Sequence, residues 1–495
     1  MYHALIFNVS TDQFNRPGGA HRIATLLREE NWDVEVCDYA DEWQLTELHE
    51  FCNSRIISNT KFIGFSCFFD HWSDKMNRFV HWLKLRYPDI VIIRGGQVAT
   101  HKQYTSFEHI DYHVAGYGEN VILELLKKIL GNDHAFIPFD PYFASRKIRL
   151  IKSNNFFPSW PMRRAGIIYQ ARDFIEPWEW STVEFGRGCK FQCPYCNFPV
   201  LGVKGDYTRD ADDFDYQLRH AYDNWGITNY YCADETFNDR SEKIIKFADV
   251  AEKLNFTPFI SAFVRADLVA ARPQDWEHFL RLGVLGHFYG IESFNHETSK
   301  LIGKGMSYNK LTTRLTEAKN FWMSHGTTRY RGTVALMIGL PKETQESLEL
   351  AITWVRNYWQ GQNYVAWPLE ITKNLMIDNE SKMSKNYQEY GYEEIPGSID
   401  TKDLKLVKNN NSLLNWKNQH FTFTEAASIA NDFENEKLLP DYNYTHGTFE
   451  LATFSILGNL DTCLSYQTTQ YQELVAARRL EWQKFIQRYI HQKLS

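Results

Sequence analysis

Gly186-Arg187-Gly188-Cys189-Lys190-Phe191-Gln192-Cys193-Pro194-Tyr195-Cys196 is the stretch on which the reading of this chain turns. Its three thiols are spaced Cys-x3-Cys-x2-Cys. Pro194 keeps a helix from running through the ligands, because it lacks a backbone donor and crowds the preceding turn. The glycines loosen the approach. One short loop can thus wrap three corners of an iron–sulfur cube, a cluster normally held by four cysteine thiolates. No fourth cysteine lies nearby. One iron is left without a protein ligand, open in the way that separates catalytic metal sites from closed structural ones. The competing readings are a zinc site and unrelated structural cysteines. Tetrahedral zinc usually takes two pairs of ligands, and no second pair follows at a suitable distance.

The spacing, with Tyr195 just before the last cysteine, resembles the signature of radical SAM enzymes. The resemblance implies a 4Fe-4S cluster on Cys189, Cys193 and Cys196, with S-adenosyl-L-methionine chelating the open iron through its amino and carboxylate groups. It implies cleavage of that molecule by the reduced cluster to a 5′-deoxyadenosyl radical, with a reductant such as flavodoxin or ferredoxin as partner.

Moving outward, Thr182-Val183-Glu184-Phe185 reads as the strand that delivers this loop, and strand–helix units repeat after it. Asn229–Ala233 ends in Asp234-Glu235. Ile260–Val264 ends in Arg265-Ala266-Asp267, and Gly286–Ile291 in Glu292-Ser293. Thr333–Ile338 ends in Gly339-Leu340-Pro341, and Tyr364–Trp367 is the sixth strand. Leu348, Ala351, Ile352, Val355 and Trp359 mark one face of the helix after Pro341. Six units fit a partial (β/α)6 TIM-like barrel over residues 181–375, with its site at the carboxyl ends of the strands. The polar residues there suit an amino-acid ligand. Asp234 or Glu235 can accept from an ammonium group; they stand where the family often has Gly-Gly-Glu, and which of the two acts is open. Arg265 can pair with a carboxylate, and Glu292 can accept from ribose hydroxyls. Gly339 and Leu340 can press backbone against adenine, and Tyr195 can flank the same ring. Taken singly, each charged residue is as well explained by a surface ion pair; their recurrence at successive strand ends favours a site. Gly303-Lys304-Gly305 and Gly339-Leu340-Pro341-Lys342-Glu343-Thr344 also resemble family elements.

Before the cluster loop, residues 1–135 alternate strands (Leu5–Val9, Val34–Val36, Phe62–Ser66, Ile90–Ile93, Asp111–Val114) with helices. Such alternation predicts an α/β domain with a doubly wound parallel sheet, which binds ligands beyond the carboxyl ends of its strands. Those ends carry Ser66, Gly95-Gly96 and Gly116-Tyr117-Gly118-Glu119. Tight turns would explain any one of these glycines. As a set they resemble the cobalamin-binding domain that precedes many radical SAM domains, which implies cofactor contacts from Ser66, Gly95, Gly96, Gly116, Gly118 and Glu119. The family's Asp-x-His-x-x-Gly element, whose histidine ligates cobalt, is absent after the first strand; His21, inside the next helix, substitutes poorly. Either cobalamin binds without a protein histidine or the domain has lost it.

Residues 136–180, with Pro138, Pro141, Pro158, Pro161 and Pro177, read as a connector; Asn154-Asn155 and Arg163-Arg164 add loop character. Residues 376–495 read as mainly helical. Asn409-Asn410-Asn411 marks a loop there, Thr422-Phe423-Thr424-Glu425 a capped helix start, and Leu474, Ala477, Trp482, Phe485, Ile486 and Tyr489 a final helix expected to dock on the barrel.

The 495 residues suffice for two to four domains. No apolar run approaches the roughly 18 residues of a membrane helix, and the N-terminal residues read as a strand rather than a signal peptide. A net charge of −7 argues against a general nucleic-acid surface. Eight cysteines in a chain this long do not suggest a disulfide scaffold. Cys37, Cys52, Cys67, Cys232 and Cys463 read as packing residues, and a reducing cytoplasm is expected. The resemblance covers about residues 1–375. It points first to a cobalamin-dependent methyltransferase on an unactivated carbon, second to a radical cyclase or rearrangement enzyme with a vestigial cobalamin domain. A methylthiotransferase lacks support, because Cys37, Cys52 and Cys67 have no familiar cluster spacing. A non-enzymatic iron–sulfur sensor is the third reading. Peptide, nucleic acid, lipid and small molecule all stay open as substrate.

Overall fold

His3–Val9 (β1) is buried along its whole length, as a strand covered on both faces by helices must be. The computed structural model describes residues 1–10, 16–67, 72–96, 109–131, 137–139, 144, 148–153, 166–196, 207–325, 330–360, 362–373, 381–397, 399, 413–435, 456 and 471–495. Its contacts separate two units. One holds Met1–Glu184, Leu201–Ile227 and Arg479–Ser495; the other holds Phe185–Val200 and Thr228–Arg478.

In the first unit β1 is followed by α1 (Gly18–Glu29), β2 (Asp33–Cys37), α2 (Leu45–Arg55), β3 (Thr60–Cys67), α3 (Asp74–Arg86), β4 (Val91–Gly96), β5 (Tyr112–Ala115), α4 (Glu119–Ile129) and β6 (Leu150–Lys152). The sheet order is β2-β1-β3-β4-β5-β6 and every pair is parallel. Order reverses between β1 and β3, the kind of switch point beyond which open α/β sheets bind ligands. The expected doubly wound sheet and its five strands are present. The sixth strand was not foreseen: Leu150-Ile151-Lys152 is too short to show a period. It comes from the stretch read as a connector, and that stretch is tied into the unit by buried charge. Arg16, which also bonds Asp38 at 2.5 Å, bonds Glu179 at 2.7 Å, and Arg28 lies 3.3 Å from Asp173.

The last helix corrects a second expectation. Within Tyr471–Leu494, the Arg479–Ser495 portion belongs to the sheet-bearing first unit rather than to the barrel. Trp482, Phe485 and Tyr489 stack edge-on against Tyr39. The Tyr489 hydroxyl accepts from the Asp38 amide at 2.9 Å. Lys493, fully buried, donates to Glu35 at 3.2 Å and to the Arg172 carbonyl at 2.7 Å. An amphipathic pattern says that a face is covered, not by what.

The second sheet runs β12-β11-β10-β9-β8-β7, with β7 Trp180–Val183, β8 Asn229–Cys232, β9 Phe259–Arg265, β10 Val284–Glu292, β11 Arg331–Ile338 and β12 Asn363–Pro368. The pairs from β8 to β12 are parallel. Helices follow β8 to β11 at Ser241–Ala251, Ala266–Ala271 with Trp276–Leu282, His296–Leu301 with Tyr308–His325, and Gln345–Tyr358. This is the expected six-stranded partial barrel, left open between its two edge strands. The helix after Pro341 starts at a capping box, in which Thr344 Oγ1 accepts from the Ser347 amide at 3.2 Å. It buries Leu348, Ala351, Trp354 and Val355. Among the described residues beyond 376, helices dominate, with a small antiparallel ribbon of Glu393–Glu394 and Trp416–Lys417. Thr422 and Glu425 exchange the expected cap, Glu425 Oε2 accepting from the Thr422 amide at 2.8 Å. Asn154-Asn155, Arg163-Arg164, Asn409–Asn411 and Cys463 lie outside the described residues.

Candidate cluster and cofactor sites

The cluster loop leaves the barrel at Phe185, and Asp234 fixes its departure. Asp234 Oδ1 accepts from the Phe185 amide at 2.8 Å, while Oδ2 lies 3.3 Å from Lys243 Nζ. This carboxylate is buried and already holds backbone and ammonium. Of the two acids expected to meet a ligand's amino group, Asp234 is buried and holds the loop's backbone, while Glu235 is half-buried. Gly188 turns the chain at φ +87°, and the Cys196 amide donates to the Cys193 carbonyl at 3.0 Å, closing a turn around Pro194. Cys189 Sγ lies 3.4 Å from Thr236 Oγ1. The Met383 amide, far along the chain, donates to the Pro194 carbonyl at 2.8 Å. Nothing in the sequence announced that contact.

Tyr195 and Glu292 are brought together. The Tyr195 hydroxyl donates to Glu292 Oε1 at 2.8 Å, and Lys304 Nζ reaches the same oxygen at 2.8 Å. Glu292 closes β10 at φ +64°, where the register with β11 shifts. A non-glycine residue in this conformation stores about 1–3 kcal/mol of strain, of the kind that clusters at functional sites. Burial, then the Glu292 carboxylate, holds the Tyr195 phenol well above its usual range, so it stays a donor.

Arg265 is placed otherwise than expected. Its Nε and Nη2 fork onto Asp267 at 3.0 and 2.8 Å, Nη2 also reaches the Gly303 carbonyl at 3.0 Å, and the guanidinium lies 3.7 Å above the Phe191 ring. Burial opposes the charge, but Asp267 and Cys193 outweigh it and keep the guanidinium above its ordinary range. The fork foreseen for a ligand carboxylate already holds Asp267. Nη1 instead points to Cys193 Sγ, 3.6 Å away. Asp267, two residues on, was the legible signal.

Gly339 is required by the fold itself. At φ +89°, a Cβ there would lie 2.4 Å from the Trp416 ring. Its amide donates to Glu343 Oε2 at 2.9 Å, and its carbonyl accepts from Tyr392 at 2.7 Å and Asn418 at 3.1 Å. Leu340 is buried. The pair expected to press backbone on adenine is thus engaged inside the protein. Glu343, bonded also by Ser293 Oγ at 2.8 Å, has its carboxyl pushed up to about 7 by burial.

At the carboxyl edge of the first sheet, Asn8, Ser66, Gly95 and Val114 lie side by side in register. The two glycines of β4 differ. Gly96 sits at φ +108°, and a Cβ would meet the Cys67 carbonyl at 2.1 Å, so the fold itself demands it. At Gly95 a Cβ would find, among the described residues, the Val114 carbonyl alone, at 3.8 Å. Among the described residues nothing else crowds Gly95, so a side chain there would fill space that Gly95 leaves clear. Gly116 turns at φ +94°, and at Gly118 a Cβ would touch Ile23 at an ordinary 3.6 Å. Glu119 is buried with its carboxylate 3.7 Å from Arg22, which makes it an internal ion-pair partner. His21 is fully buried, its Nε2 3.0 Å from Asp38, and so is engaged in the interior.

Both cofactor sites fit the groups their motifs suggest. Cys189, Cys193 and Cys196 are half-exposed, whereas Cys37, Cys52, Cys67 and Cys232 are buried and burial pushes their thiols up. Among the described cysteines, the loop three are the more exposed, as thiolate ligands need to be. Among the described residues no three His, Cys, Asp or Glu side chains converge on one metal ion. A cube gives each thiolate its own iron, so its ligands need not share a centre. In the sheet, the Ser66–Gly95 row offers a polar hydroxyl beside open backbone, which suits a large ligand. No described helix is long and apolar enough to cross a membrane.

Comparison with known proteins agrees. The Radical SAM superfamily model matches residues 183–355 and the B12 binding domain model residues 5–126. No curated protein sequence is significantly similar. The chain resembles the radical S-adenosylmethionine methyltransferase TsrM from Kitasatospora setae with tryptophan substrate and a SAM analog bound. The TM-score is 0.67 and identity 14%, over 97% of this chain and 100% of that one. TsrM with cobalamin and a [4Fe-4S] cluster gives 0.64 at 15% identity, over 98% and 100%. The cobalamin-dependent S-adenosylmethionine radical enzyme OxsB gives 0.54 at 14%, over 79% of this chain and 56% of that one. At these identities the likeness speaks to fold; the two domain matches speak to the chain itself. A B12-binding domain followed by a radical SAM domain makes this chain a radical SAM enzyme of the cobalamin-dependent kind, with a 4Fe-4S cluster, S-adenosyl-L-methionine and cobalamin as its cofactors.

Proposed function

We propose that this enzyme is a methyltransferase acting on an unactivated carbon. One observation carries the reading: a three-cysteine loop at a barrel strand end and an open Ser66–Gly95 row at a sheet's carboxyl edge occur on one chain. When bound, the cofactors supply a 5′-deoxyadenosyl radical and a transferable methyl group, chemistry no side chain offers. The chain's residues bind and orient. Cys189, Cys193 and Cys196 would hold three irons, and Glu235 would accept from the ammonium of S-adenosyl-L-methionine. Glu292, aimed by Tyr195 and Lys304, accepts from its ribose hydroxyls, and Tyr195 flanks the adenine. Ser66 and Gly95 would help hold cobalamin. That TsrM, named a methyltransferase, matches along nearly the whole chain supports the reading. An external one-electron reductant is required, as for radical SAM enzymes generally.

The test is stoichiometric. Anaerobically reconstituted enzyme turning over its substrate should release S-adenosylhomocysteine and 5′-deoxyadenosine together. Deoxyadenosine alone, from protein that copurifies without cobalamin, would replace methyl transfer with radical cyclisation or rearrangement.

A further inference from the structure

We infer that Arg265 is a positioning residue for the cluster itself, raising its reduction potential through Cys193, rather than a receptor for the carboxylate of S-adenosyl-L-methionine. The inference rests on the cluster assignment above and deepens it. Three contacts immobilise the guanidinium: the Asp267 fork at 3.0 and 2.8 Å, the Gly303 carbonyl at 3.0 Å and the Phe191 ring at 3.7 Å. Asp267 and Gly303 take Nε and Nη2, and the nitrogen aimed at sulfur is Nη1, 3.6 Å from Cys193 Sγ. That separation suits an N–H donor to a sulfur acceptor, which is larger and softer than oxygen.

The physical consequence has a sign. Reduction adds an electron to an already anionic assembly of thiolates and sulfides. A fixed positive charge and an N–H donor at a ligand sulfur stabilise the added electron more than the oxidised state, and hydrogen bonds to the sulfurs are among the levers that set such potentials. Arg265 is only 7% exposed, so solvent screens this interaction weakly. The same side chain ties Phe191 of the cluster loop to the strand end and to the Gly303–Gly305 turn. Asp267 acts one step removed, by holding the fork.

The experiment is an anaerobic EPR-monitored redox titration without S-adenosyl-L-methionine, on wild type, Arg265→Gln, Arg265→Lys and Asp267→Asn, with iron and sulfide assayed in each. Arg265→Gln is expected to lower the reduced-to-oxidised ratio about tenfold at the wild-type midpoint, equivalent to about 59 mV for one electron. Arg265→Lys, which keeps the charge but loses the fork, should move the potential less and in the same direction, whereas Asp267→Asn, which removes a neighbouring negative charge and keeps the guanidinium, should raise it. If Arg265→Gln fails to assemble a cluster, Arg265→Lys decides by the same criterion. Loaded variants titrating like wild type would overturn the inference. So would a Kd for S-adenosyl-L-methionine weakened tenfold in Arg265→Gln with the potential unmoved, which would restore the carboxylate role. Wild type that takes up no iron–sulfur cluster would instead overturn the cluster assignment, so the two failures are distinguishable.

Discussion

At the residue scale the informative groups are those whose partners are inside the protein. Asp234 joins the start of the cluster loop to Lys243. Removing one partner of a buried pair leaves a charge uncompensated, at a cost of about 3–5 kcal/mol, but Lys243 keeps Asp239 at 2.6 Å, so the loss should fall lower. Asp234→Ala should destabilise by about 2 kcal/mol in urea unfolding and load less iron, whereas Glu235→Gln should unfold like wild type and weaken S-adenosyl-L-methionine binding. Glu343 gives a pH signature. Its carboxyl is raised to about 7 from an ordinary 4.5, so the folded state holds the proton more tightly than the unfolded chain does. Stability from this group is present below about 4.5 and lost as pH rises through about 7. Glu343→Gln, which keeps the shape without the charge, should gain thermal stability over wild type between about pH 5 and pH 8 and lose that advantage in acid; a gap independent of pH would contradict the assignment.

At the element scale, the end of β4 separates two glycines that look alike in sequence. Gly96→Ala forces a Cβ to within 2.1 Å of the Cys67 carbonyl at positive φ and should destabilise the first unit by about 2 kcal/mol or more. Gly95→Ala meets only an ordinary contact. It should fold like wild type yet take up less cobalamin, read from the visible spectrum of anaerobically reconstituted protein. Equal cobalamin content in Gly95→Ala and wild type would remove Gly95 from the site. The strand ends carry the second lesson. The order Asp-Glu, Arg, Glu, Gly-Leu-Pro was legible along the chain, and its positions at successive strand ends are as expected. What each side chain does there was not legible, because a strand end fixes where a residue sits but not which neighbour reaches it first. Asp267 reached Arg265, Tyr195 and Lys304 reached Glu292, and Trp416 filled the space beside Gly339.

For the whole molecule, the first unit is assembled from distant pieces of chain. Tyr489 and Lys493 place an aromatic hydroxyl and an ammonium against Asp38 and Glu35, in an interior that also holds Arg16, His21, Asp173 and Glu179. Deleting Arg479–Ser495 should uncover Tyr39 and Trp43 and leave soluble expression of the chain severely reduced. The milder Tyr489→Phe should cost about 1–2 kcal/mol by leaving the Asp38 amide unpaired, measured as a lower Tm with cluster content unchanged.

By itself the sequence determined the two alternating α/β regions and the six barrel strands, and it pointed to the three loop cysteines proposed as cluster ligands. These follow from local order: hydrophobic period, turn residues, and three thiols close enough for one loop to present them. The sixth strand of the first sheet, the docking of the last helix, the anchoring of Arg265 by Asp267 and the engagement of Asp234 by Phe185 and Lys243 were decided only in three dimensions. Each depends on which of several chemically equivalent partners lies within hydrogen-bond or van der Waals reach, and that distance is set by the packing of segments far apart in the chain.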